Sequence, residues 1–84
     1  MIPYSGVIIM QTNYEQEYIK FGLKVQYYRK LRGMTQEAFA DKIGKSWSYI
    51  AKIESPTRAF GVSMETLFVM ADALDIPVSK LFDD

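Results

Sequence analysis

Residues 35–54 read TQEAFADKIGKSWSYIAKIE, and their spacing decides the fold. Thr35 is a good N-cap, because its hydroxyl can accept from the free N–H groups of a first helical turn. Glu37 and Asp41 favour the electropositive early turns of that helix. Phe39, Ala40 and Ile43 fall on one face, and Gly44 tolerates the positive φ that ends a helix in a tight turn. Ser46 then caps a second time. In WSYIAKIE, Ile50 and Ile53 face inward with Tyr49 at the edge, and the helix must stop before Pro56. Two short helices, 36–43 and 47–54, are therefore expected to cross steeply over a short turn, with the small Ala40 at the crossing and Ile50 plugging the core.

Working outward, Tyr14, Tyr18, Phe21, Val25, Tyr28 and Leu31 recur at helical steps, which predicts a first helix over 14–32. Thr12 or Asn13 caps it, Glu15 and Glu17 suit its start, and Lys30, Arg32 and Gly33 suit its end. Downstream, SPTRAFGV (55–62) is a loop marked by Pro56 and Gly61. Ser63 caps the next helix, whose apolar stripe is Met64, Leu67, Phe68, Ala71 and Leu74, with Val62 and Leu67 as a hydrophobic staple. Pro77 starts a last short turn, 77–82, burying Val78 and Leu81, with Phe82 as a further candidate. The first twelve residues, MIPYSGVIIMQT, are uncharged, and Val7, Ile8 and Ile9 favour a strand. A lone strand is unstable, so this arm is disordered, docked on the domain, or paired through Val7–Met10 with a second copy. Met10 fits as an initiator as well as Met1 does. The expected architecture is all-α. Five helices and no convincing sheet form a domain over 13–84, behind an N-terminal arm of residues 1–12.

The chain has 84 residues, 49% of them apolar and 24% charged, which is the profile of one small globular domain. It has no Cys and no His. Disulfides, thiolate metal sites, cysteine nucleophiles and the usual near-neutral general base are thereby excluded. No phosphate-binding glycine loop and no run long enough to span a membrane is present. No positive charge precedes the first apolar run, so a signal peptide is not expected. These features point to a cytoplasmic protein that is not an enzyme and holds no cofactor or metal.

Net charge is zero, yet its layout is polar. Nine of the ten basic residues lie between Lys20 and Arg58 against three acids, a segment of +6, and the remainder carries −6. Such a division suits one anion-facing side on a neutral whole.

The stretch LKVQYYRKLRGMTQEAFADKIGKSWSYIAKIES (23–55) resembles the lambda-repressor-like, Xre/Cro-type helix-turn-helix regulators of bacteria and phages. METLFVMADALDIPVSKLF (64–82) resembles the fourth and fifth helices of the same family, so the likeness spans roughly residues 21–82. It implies a recognition helix at 47–54 within a helix-turn-helix at 36–54. Base contacts fall to Trp47, Ser48 and Lys52: Lys52 suits guanine O6 and N7, and Trp47 a thymine methyl or a sugar. Phosphate contacts fall to Gln36 at a helix start, and to Lys45, Ser55, Thr57 and Arg58. Tyr49 either reaches a phosphate through its hydroxyl or packs on the preceding helix. Arg29 and Glu54 correspond to a structural ion pair holding the recognition helix.

The functional expectation is a sequence-specific regulator of transcription. As a homodimer it binds double-stranded DNA at a palindromic operator, with half-sites about one helical turn apart, and represses by blocking a promoter. Candidate dimer surfaces are the 55–62 loop with Phe60, the C-terminal turn with Leu81 and Phe82, and the arm. With the last turn ending at 82, no room for a sensor domain is expected. The rival expectation is a protein-interaction module, such as the antitoxin of a toxin–antitoxin pair. A toxin would then be the protein partner, whereas a regulator that activates by touching the polymerase would have the polymerase as its partner.

Overall fold

A computed structural model of the chain describes residues 8–9 and 12–83. Its elements run β1 (Ile8–Ile9), α1 (Glu15–Leu31), α2 (Gln36–Lys42), α3 (Trp47–Ile53), β2 (Phe60–Gly61), α4 (Met64–Leu74) and a closing 3₁₀ turn (Val78–Leu81). The fold is all-α in class and follows the expected helix order. The fifth helix is a correction: VSKL is only 4 residues long and closes as a single 3₁₀ turn behind Pro77.

Local chemistry sets the helix starts. Thr35, Ser46 and Ser63 take extended backbone, and their hydroxyls accept from the N–H groups of Ala38, Tyr49 and Thr66. The start of α1 differs: Tyr14 occupies the cap without a side-chain capping bond, and its own N–H donates to the Thr12 hydroxyl at 3.0 Å. Between α2 and α3, Gly44 has φ 72°. The Lys45 N–H reaches back to the Ala40 carbonyl at 2.8 Å and the Gly44 N–H to Asp41 at 3.2 Å, which satisfies the last carbonyls of α2.

One core joins all the helices. Phe21 and Val25 of α1 meet Phe39, Ala40 and Ile43 of α2, Tyr49, Ile50 and Ile53 of α3, and Met70, Ala71 and Leu74 of α4. Phe60 and Leu81 close it. The stripe expected on α4 is turned: Thr66, Met70, Ala71 and Leu74 are buried, whereas Met64 and Phe68 face solvent. Apolar residues occupy most of α4, so periodicity does not select a face, and the docking of α1 and the 3₁₀ turn does. Leu81 and Phe60 are core residues and therefore unavailable as a dimer surface. Phe82 is exposed, with its ring stacked on Phe21 at 5.5 Å between centroids.

A two-residue antiparallel ladder pairs Ile8 with Gly61 and Ile9 with Phe60. This corrects the expectation of no sheet. It also places Ile8 and Ile9 against the chain's own loop, and the rest of the expected arm pairing, Val7 and Met10, lies outside the described residues.

Two long-range features have no local signature. A Cβ at Gly22, in the middle of α1, would collide with the Ile53 carbonyl oxygen. Only glycine lets the α1 backbone pass directly over the end of α3. Arg32 reaches across the fold, where its Nε donates to the Leu74 carbonyl at 2.7 Å and its Nη2 to Asp75 at 3.2 Å. It thus caps the C-terminal end of α4, where Asp75 turns to φ 56°.

Candidate nucleic-acid interface

The pairing of α2 with α3 leaves the first turn of α3 open to solvent. Ile50 and Ile53 point into the core, which turns Trp47, Ser48 and Lys52 outward, and all three are exposed. Trp47 is 61% exposed, unusual for the largest side chain in the protein. Ser46 lies 3.2 Å from Ser48, hydroxyl to hydroxyl, while it caps the helix.

A buried ion pair fixes this helix. The Arg29 Nε donates to Glu54 Oε2 at 2.7 Å and its Nη2 to Oε1 at 2.9 Å, a bidentate fork between α1 and the end of α3. The third arm of the guanidinium, Nη1, donates to the Met34 carbonyl at 2.7 Å. Both side chains are almost wholly buried. Such a pair adds little net stability over apolar packing, but it specifies one orientation because either charge alone is costly inside.

The network continues outward from Glu54. Gln36, the first residue of α2, donates its Nε2 to Glu54 Oε1 at 3.1 Å. Its Oε1 accepts the Trp47 indole N–H at 2.9 Å. The sequence pairs Arg29 with Glu54 but leaves Gln36 and Trp47 unconnected to them; the structure joins all four into one chain of hydrogen bonds from core to surface.

Beyond α3, Ser55 and Thr57 hold the loop together, hydroxyl to hydroxyl at 3.2 Å, with the Thr57 N–H donating to Ser55 at 3.3 Å. Arg58 is exposed, its guanidinium 5.8 Å from the Phe60 ring centroid. Lys45 is half-buried, its ammonium 5.1 Å from the centroid of the Tyr49 ring.

Tyr49 leaves the phosphate set. It is 1% exposed, packed in the core, and its hydroxyl is buried without a well-formed hydrogen bond. Burial pushes the phenol above its ordinary value of 10.0, and the neighbouring Thr66 hydroxyl partly offsets this. Of the two readings of Tyr49, packing is the one the geometry allows. The basic segment is also thinner than its charge count implies. Arg29 is spent on Glu54 and Arg32 on the end of α4.

The helix-turn-helix family model HTH_3 matches residues 25–81. The chain belongs to this family. Among solved structures, the restriction-modification controller protein C.AhdI from Aeromonas hydrophila is 31% identical, covering 84% of this chain and 100% of that one, with a TM-score of 0.74. SinR, the Bacillus subtilis master regulator for biofilm formation, has been solved in complex with DNA. It is 30% identical there, covering 75% of this chain and 98% of that one, with a TM-score of 0.67. A SinR/SinI protein complex matches at 30% identity, covering 76% and 61% of the two chains, with a TM-score of 0.67. No curated protein sequence matches the chain. These similar structures are thus a controller protein and a master regulator. Among the described residues, no helix of this family member is long and apolar enough to cross a membrane.

Proposed function

We propose that the chain is a sequence-specific regulator of transcription that binds double-stranded DNA through α3, as a homodimer on a palindromic site. The observation that carries this is the open first turn of α3, with Trp47, Ser48 and Lys52 exposed on a helix locked from behind by Arg29 and Glu54. Rigid presentation of a few side chains is what reading base edges in a major groove requires. In this reading Trp47, Ser48 and Lys52 face bases. Gln36, Lys45, Ser55, Thr57 and Arg58 flank them on phosphates. The SinR–DNA complex and the controller role of C.AhdI support the assignment of regulator over simple nucleic-acid coat. Occlusion of a promoter is the simplest action for a domain whose base-facing residues lie on one helix.

The exposed Met64 and Phe68 on α4, rather than Phe60 or Leu81, supply apolar surface for a second copy. A reading as a protein-interaction module, as in an antitoxin, rests on the same surface and on the likeness to SinR in its complex with SinI.

Selection of sites from a random duplex library tests the proposal. The expected product is a palindrome with half-sites about one helical turn apart. Lys45 and Arg58 from two subunits neutralise four phosphates, so log affinity should fall with log salt at a slope of about −4. Failure to enrich any sequence would refute the reading and turn attention to the protein partner.

A further inference from the structure

Trp47 presents a contradiction that points to its ligand. An indole has one polar group, the Nε1–H, and it is a donor only. Here that donor is already taken at the surface, by Gln36 Oε1 at 2.9 Å, although the ring is 61% exposed. Gln36 is in turn anchored on Glu54, and Glu54 on Arg29, so the indole is tied to the buried end of the network. What Trp47 offers outward is apolar carbon alone, at the first residue of the recognition helix.

The major groove is lined with donors and acceptors, and the 5-methyl of thymine is the exception. A surface with no donor left gains nothing from N7, O6, N4 or N6. Among the base edges it buries itself favourably only against a methyl group. We infer that the exposed carbon face of Trp47, locked by Gln36, is a subsite for a pyrimidine 5-methyl group. This rests on the DNA-binding reading above and gives its recognition helix one specific chemistry. Thymine and 5-methylcytosine carry the methyl; uracil and cytosine do not. Lys52 and Ser48 retain free polar atoms and take the hydrogen-bonding positions.

The test uses the duplex obtained by selection, with each thymine replaced singly by deoxyuridine. One methyl removed from an apolar contact should weaken binding about fourfold. The expected result is one such thymine per half-site for the parent protein, and no deoxyuridine effect at that position for Trp47→Ala. Placing cytosine there and then methylating its C5 should restore about fourfold in the parent alone. Comparing thymine with deoxyuridine within each protein cancels any general loss that follows from releasing Gln36. The chain has a single Trp, so its emission should change on binding the thymine duplex and shift less with the deoxyuridine one. If no thymine methyl matters, or if the deoxyuridine effect is as large in Trp47→Ala, the inference is overturned while sequence-specific binding stands. If no duplex is selected at all, the DNA-binding reading itself falls, and the inference with it.

Discussion

Removing the Glu54 carboxylate is the most informative single perturbation. Glu54→Ala takes away both oxygens that hold Arg29, at 2.7 and 2.9 Å, and leaves a guanidinium that is 5% exposed with the Met34 carbonyl as its remaining partner. Breaking a buried pair from one side costs about 3–5 kcal/mol. A domain of this length has roughly 4–12 kcal/mol of stability in total. The substitution therefore consumes a large part of it, and the melting midpoint should fall by roughly 15–30 °C. The loss is one of stranded charge, not of a stabilising bond. The paired replacement Arg29→Met with Glu54→Leu should consequently recover most of it, or exceed the parent by about 1–4 kcal/mol. Far-UV circular dichroism melts and urea titrations of the three proteins, with duplex binding by fluorescence anisotropy, make the comparison. DNA binding of Glu54→Ala should fail through unfolding or a displaced α3. A melt within a few degrees of the parent together with lost binding would refute this account. So would a double variant no more stable than the single one.

Three further outcomes are expected. Gly22→Ala should destabilise by more than about 2 kcal/mol, read from urea midpoints, because the new methyl must displace the backbone carbonyl of Ile53. Burial holds the Tyr49 phenol above its ordinary 10.0, so the folded state keeps its proton longer than the unfolded chain does. Its contribution is complete below pH 10.0 and lost as the pH rises through the folded value, so the stability of the parent relative to Tyr49→Phe should fall above pH 10.0 in alkaline titrations. Arg58→Ala should weaken duplex binding evenly across sequences and reduce the salt slope by about 1 per subunit in a salt titration, with melting unchanged.

The folding of residues 35–54 was legible because its instructions are local. Thr35 and Ser46 act on N–H groups three residues away, and the turn at Gly44 closes through the N–H groups of Gly44 and Lys45 onto carbonyls three and five residues back. The buried faces of α2 and α3 followed from short helices with few apolar residues, where only one orientation is possible. The candidate base-reading residues were legible for the complementary reason, since whatever opposes Ile50 and Ile53 must face out. On α4 the same method gave a stripe with Met64 and Phe68 inward, because apolar residues surround that helix and several faces satisfy the period.

Residue type and spacing by themselves thus determined the helix order, the caps of α2, α3 and α4, the turn and the outward set Trp47, Ser48 and Lys52. Tertiary structure alone decided which face of α4 is buried, that Tyr49 is core, and that Arg32 serves the end of α4. It alone brought α1 close enough over Ile53 to require Gly22. It also joined Trp47 to Gln36 and Gln36 to Glu54, partners 11 and 18 positions apart. Hydrogen bonds across such separations depend on how whole helices dock, and docking is set by the sum of core contacts rather than by any neighbouring residue.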